Sequence, residues 1–176
     1  MAEVHIIGRI VSAFGFPDQR LFCCWELELG GGWRLIEGEK EGQTQTDLPE
    51  LEEVAYFSHP LDIHLATKTI QGWPKFNLQI WHHDDYGRQE IYGYGSVFVP
   101  ATSGMHEVIN CHIWRPKGSF REEVMQYFLG GGIQLSNASF AGQAKKIAKL
   151  KTTSMGVVQL NLSIITRNFD RFGIHC

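Results

Sequence analysis

Ile80-Trp81-His82-His83-Asp84-Asp85-Tyr86-Gly87-Arg88-Gln89-Glu90-Ile91-Tyr92-Gly93-Tyr94-Gly95 reads as a strand, an acidic turn and a second strand opening on paired glycines. A strand, a tight polar turn and a returning strand make an antiparallel hairpin. The rest of the chain repeats that rhythm. Immediately upstream, Phe76, Leu78 and Ile80 alternate with Asn77 and Gln79. Because successive side chains on a strand point to opposite faces, such alternation marks a strand with one face in a core.

Working outward, Val4, Ile6 and Ile10 share one face of a first strand. Leu21, Cys23, Trp25, Leu27 and Leu29 share one face of a second, with Glu26 and Glu28 opposite. Leu61, Ile63 and Leu65 alternate with Asp62 and His64. Val158, Leu160, Leu162 and Ile164 alternate with Gln159, Asn161 and Ser163. Turn residues bound these runs at Gly15-Phe16-Pro17-Asp18, Gly30-Gly31-Gly32, Gly72-Trp73-Pro74 and Ser103-Gly104. Many short half-buried strands with Gly-rich turns predict an all-β chain, an antiparallel sandwich.

Two segments read differently. Ser119-Phe120-Arg121-Glu122 is a capping-box pattern, and Phe120, Val124, Tyr127 and Phe128 follow at helical spacing before Gly130-Gly131-Gly132. One short helix over about 119–129 is expected there. Residues 141–151 place Lys145, Lys146, Lys149 and Lys151 around Ile147 and Leu150. A strand is favoured, with Thr152-Thr153-Ser154-Met155-Gly156 as a turn into the final alternating run.

At 176 residues the chain suits one domain, 1–176, with no linker or internal repeat, and it is long enough to bury roughly 70% of its unfolded surface. Apolar residues at 43% supply a core, while 20% charged residues and a net charge of -3 argue against disorder and against a nucleic-acid partner. No run approaches the ~20 apolar residues of a membrane span. Met1-Ala2-Glu3-Val4-His5 has neither the basic nor the apolar region of a signal peptide, so an intracellular chain is expected. The four cysteines, at 23, 24, 111 and 176, have no C-x-x-C spacing. Reduced thiols, at least one of them in the core, are expected rather than a disulfide framework or a thiolate zinc site.

The acidic turn resembles the calcium loop of membrane-binding C2 domains, an apolar-Trp strand followed by spaced aspartates and a glycine. In such a loop two aspartates stand two residues apart and another about six further on. Here those slots hold His82, Asp84 and Glu90, and only Asp18 is available from an opposing loop. Calcium wants six to eight hard oxygens, so Asp18, Asp84 and Glu90 make a degenerate site and no metal or other cofactor is expected. His82 and His83 diverge on an extended backbone, and the other histidines are scattered, with no third at a spacing that implies convergence. No G-x-S-x-G elbow or phosphate loop occurs, and nothing composes a catalytic centre. The lysines at 145, 146, 149 and 151 have two readings: contact with anionic lipid, at on the order of 1 kcal/mol per residue, or protection of a sheet edge. Trp73-Pro74, Trp114-Arg115-Pro116 and Phe169-Asp170-Arg171-Phe172 place aromatic and arginine side chains, the types that anchor protein interfaces, in expected loops or tails. Trp73, Pro74, Trp114, Arg115, Phe169, Arg171 and Phe172 are therefore the candidate partner-binding residues.

Taken together, Met1-Ala2-Glu3-Val4-His5, Glu41-Gly42-Gln43-Thr44-Gln45, Ser58-His59-Pro60, Gln71-Gly72-Trp73-Pro74, Tyr86-Gly87-Arg88, Gly93-Tyr94-Gly95, Trp114-Arg115-Pro116, Gly118-Ser119, Gly130-Gly131-Gly132 and the terminal Phe169–Cys176 segment resemble the B9-domain family from first residue to last. That resemblance implies a C2-like antiparallel sandwich without enzymatic activity. It implies a scaffold in the Meckel-syndrome complex at the ciliary transition zone, on the cytoplasmic side of the cilium base near the basal body and cytoskeleton. The expected partners are the other B9-domain paralogues, as a hetero-oligomer, and tectonic-type membrane proteins that together form a diffusion barrier and support ciliogenesis. The alternative is a peripheral lipid-binding module, calcium-independent through the lysines or weakly calcium-dependent through Asp18, Asp84 and Glu90.

Overall fold

The structure is a computed structural model that describes residues 1–49, 53–117 and 151–170. The helix expected at 119–129, the strand favoured for 141–151 except for Lys151, which is in no strand, and Lys145, Lys146, Lys149, Arg171 and Phe172 lie outside the described residues. The described chain forms nine strands: β1 (Ala2–Phe14), β2 (Leu21–Glu28), β3 (Trp33–Glu37), β4 (Glu41–Gln43), β5 (Val54–Thr67), β6 (Lys75–His83), β7 (Gln89–Phe98), β8 (Gly104–Pro116) and β9 (Thr152–Arg167). They pair antiparallel in one sheet of order β3-β5-β1-β9-β8-β7-β6-β2-β4.

The sheet curls into two leaves. β3-β5-β1-β9-β8 makes one and β7-β6-β2-β4 the other, and between them β7 and β8 pair only at Tyr94↔Trp114. A Cβ at Gly93 would stand 2.7 Å from Ile113 Cγ2 and 2.8 Å from the Trp114 carbonyl, and one at Gly95 2.7 Å from Cys111 Sγ. The paired glycines of the opening stretch therefore let β8 pass close across β7, where the sheet turns its corner. The leaves then share one core.

That core uses the faces that the alternation marks. Val4, Ile6, Ile10, Leu78, Ile80, Leu160 and Leu162 are fully buried, together with Phe76, Leu65 and Ile113 from neighbouring strands. Cys23 and Cys111 are buried free thiols. Burial pushes Cys111 up to about 12, and it also raises Cys23 well above the usual thiol value.

Three local expectations are corrected. Thr152–Gly156 is the start of β9, paired with the end of β8, and not a turn. Its Thr pair is β-branched, which suits a strand, and its glycine serves a close approach: a Cβ at Gly156 would sit 2.6 Å from the Phe14 carbonyl and 2.7 Å from the Phe16 ring. Trp114 and Arg115 lie inside β8, not in a loop, because Tyr94↔Trp114 is the pair that joins the leaves. Asn77, a polar position in the alternation, is buried and donates its amide to Glu28 at 2.9 Å, where Lys75 also binds at 3.1 Å.

Candidate functional site

The acidic turn lies at one end of the sandwich, between β6 and β7, beside the β1–β2 loop. Together they line an open depression of about 490 Å³ bordered by Asp18, Arg20, His82, Asp84, Asp85 and Arg88. The turn holds itself together through Asp84. Its Oδ1 accepts the backbone N–H of Tyr86 (2.9 Å) and of Arg88 (2.7 Å), and its Oδ2 accepts Arg88 Nε at 2.7 Å. Desolvation in the turn would raise the Asp84 carboxyl, but these donors and the arginine charge outweigh it and hold the group below the usual carboxylate range. Gly87, at φ +82°, supplies the left-handed step that a β-carbon resists.

Further bonds lace the turn to the β1–β2 loop. Arg20 pairs with Asp85 at 2.5 Å, and the Arg20 carbonyl accepts the His83 N–H at 3.0 Å. His82 Nδ1 lies 2.6 Å from the Gln19 carbonyl, which assigns the ring proton to that nitrogen. The His82 ring stacks on Tyr92 with centroids 5.1 Å apart. Tyr92 donates its hydroxyl to Asp18 Oδ2 at 2.5 Å. Burial raises the Tyr92 phenol, and its bond to Asp18 and the charges of Asp18 and Glu90 raise it further against the opposing effect of Arg115.

Both aspartates of the degenerate site thus already serve the fold, Asp18 holding Tyr92 and Asp84 holding Arg88, and the neighbouring Asp85 holds Arg20. Glu90 stands opposite His82 in the β6–β7 ladder. Among the described residues, Asp18, Asp84 and Glu90 do not converge as three metal-ligating atoms. Chemically the depression is a set of charge-assisted clamps joining two loops.

The aromatic candidates fall into distinct settings. Trp73 donates Nε1 to the Val99 carbonyl at 2.7 Å, meets Trp33 edge-on with centroids 5.1 Å apart, and leaves Pro74 buried beside it. Phe169 is 4% exposed and belongs to the core. Trp114 and Arg115 are half-buried, and Trp114 stands on the outer face, where it tilts against Tyr94 at 5.9 Å and packs with Ile91 and Trp81. Lys151 is exposed, and its carbonyl accepts the Lys117 N–H at 2.7 Å.

Sequence reading missed two groups. One is the outer cluster of Trp81, Ile91, Tyr94 and Trp114, whose signal is aromatic residues at outward strand positions. The other is Glu3, His5 and His64: residues 59 positions apart give no local signal, but the antiparallel register sets His5 directly opposite His64.

The family model described as "Ciliary basal body-associated, B9 protein" matches residues 4–165 of this chain. B9 domain-containing protein 2 of Xenopus laevis is 49% identical over 174 residues, covering 99% of this chain and 98% of that protein. B9 domain-containing protein 1 of Mus musculus is 23% identical, over 96% of this chain and 83% of that protein. Among solved structures, the C2A domain of plant Extended Synaptotagmin 1 is similar at a TM-score of 0.47 with 10% identity, over 93% of each chain. The described strands themselves form an antiparallel β-sandwich. The match to the B9 model spans nearly every strand described above, and so the chain belongs to the family of ciliary basal body-associated B9 proteins.

Proposed function

We propose that this chain is a non-enzymatic, single-domain scaffold of the ciliary transition zone. It associates with other B9-domain paralogues in a Meckel-syndrome and tectonic complex that maintains the ciliary membrane barrier and supports ciliogenesis. The observation that carries this reading is the use of the acidic loop. In a cation- and lipid-reading C2 loop the carboxylates face an ion, whereas here Asp18, Asp84 and Asp85 hold Tyr92, Arg88 and Arg20. A rigid sandwich stabilised in this way offers its outer faces to protein partners. Trp114, half-exposed on the outer face of β8, is the candidate with both exposure and aromatic character, and Arg115 follows it on the strand.

Co-expression with the two other B9-domain paralogues of the same organism, followed by size-exclusion chromatography with light scattering, tests the reading. Co-elution at the mass of a defined hetero-oligomer is expected, through an interface of more than about 1,000 Å². Trp114→Ala, checked for folding by circular dichroism, weakens co-elution more than Asp84→Asn does. A chain that elutes alone as a monomer and floats on anionic liposomes sinks the scaffold in favour of the lipid-binding module.

A further inference from the structure

The strands β1 and β5 bring together three donors that take no part in the site above. Val4 and Ile6 face the core, so Glu3 and His5 share the outer face of β1, and the register places His64 of β5 directly opposite His5. The His5 and His64 rings lie nearly parallel, 17° apart, with centroids separated by 3.9 Å. Glu3 Oε2 stands 3.7 Å from His64 Nε2, beyond hydrogen-bond reach. One ligand atom from each of Glu3, His5 and His64 falls within 4.8 Å of the others.

A second observation points to a ligand. His64 Nε2 is buried and has no hydrogen-bond partner among the described residues. Buried nitrogens in folded proteins are paired in the great majority of cases. The His64 ring presents its face to His5, and its unpartnered Nε2 stands beside the Glu3 carboxylate. A bare imidazole nitrogen next to a carboxylate offers the lone pair that a metal ligand needs.

We propose that Glu3, His5 and His64 form a binding site for a zinc-class divalent cation on the outer face of the β1–β5 pair. Two imidazoles and one carboxylate suit a borderline transition metal, whereas calcium and magnesium want several more oxygens. Donors around a tetrahedral zinc stand about 3.3 Å apart, given metal–ligand bonds of about 2.0–2.2 Å, so the spacing suits one ion once the His5 and His64 rings rotate out of their stack to point both lone pairs at it. Water takes the fourth position. Arg167 Nη1 stands 3.7 Å from the same Glu3 Oε2, on a 71% exposed side chain, which gives the carboxylate an outer partner. The bound ion ties the start of β1 to β5 and to the end of β9.

The test uses the full chain, stripped with chelator and titrated with zinc chloride by calorimetry. One zinc per chain is expected, with a Kd in the micromolar range or tighter and a Tm that rises on loading. His5→Gln and His64→Gln each weaken binding at least tenfold while the apo-protein's circular dichroism is unchanged. Cobalt(II) provides an independent readout on the unmutated chain: it gives visible d–d bands and shifts the His5 and His64 imidazole signals in NMR, which serves even if a variant does not fold. Absence of zinc binding below about 100 μM overturns the site. Undiminished binding in the double variant, or cobalt shifts at other histidines or at Cys24, does so too.

Discussion

Gly93 and Gly95 show how much a single atom decides here. Both take ordinary backbone angles, so their requirement is for space. A Cβ at Gly93 would meet the Trp114 carbonyl at 2.8 Å and Ile113 Cγ2 at 2.7 Å, whereas one at Gly95 would meet the side-chain ends Ile113 Cδ1 at 2.6 Å and Cys111 Sγ at 2.7 Å. A backbone carbonyl in a strand yields less than a side-chain terminus. Gly93→Ala is therefore expected to lower stability more than Gly95→Ala, with overpacking in the range of about 1–3 kcal/mol, read from urea midpoints at unchanged m-value. Equal losses, or a larger one for Gly95→Ala, would contradict this account of the corner. The glycine pair stands in the middle of β7 and not at the opening of the strand, where the sequence placed it, so only its membership of a strand was legible. Its purpose was not, because the clash involves residues about 20 positions away in a strand that crosses it. Trp73 teaches the same lesson: in sequence its loop looks like an interface, but in the fold its indole N–H is held by Val99.

At the scale of elements, the hairpin of β6 and β7 was readable, and so was the spacing of its carboxylates. Their engagement was not, since Asp18, Gln19 and Arg20 reach the turn only when the β1–β2 loop folds over it. The contacts that lace these elements should be energetically coupled. Tyr92 is 8% exposed and its hydroxyl bonds a carboxylate, so the pair belongs to the stronger class of hydrogen bonds. A double-mutant cycle with Asp18→Asn and Tyr92→Phe is expected to give a coupling of about 1–2 kcal/mol. Additive losses would mean that the loop and the turn stabilise the protein separately. At the other end, β9 starts six residues before Val158, the first of its alternating apolar positions, because Thr152–Gly156 pairs with β8. Gly and Ser in that run read as a turn only while the Phe16 ring above Gly156 is out of view.

For the whole molecule, the period-2 faces identified the core strands, because burial on one face leaves that pattern in any sequence. Strand order and closure at one residue pair leave no such trace, since they depend on which strands meet. The common core gives the molecule one further property, its response to alkaline pH. Thiols ionise near 9.0 when unfolded, and burial pushes Cys111 up to about 12 in the fold. An acid whose folded value is raised keeps its proton in the fold while the unfolded chain releases it. Its contribution is therefore constant below pH 9 and declines between 9 and 12, by about 1.4 kcal/mol per pH unit for one proton. Cys23 and, above 10, Tyr92 add to the decline in the same direction. Urea unfolding in reductant from pH 7 to 11 is expected to give a plateau and then a falling free energy, less steep in Cys111→Ala. A plateau that persists to pH 11 would mean that these groups reach solvent in the folded state, and the two leaves would not then enclose the dry core described here.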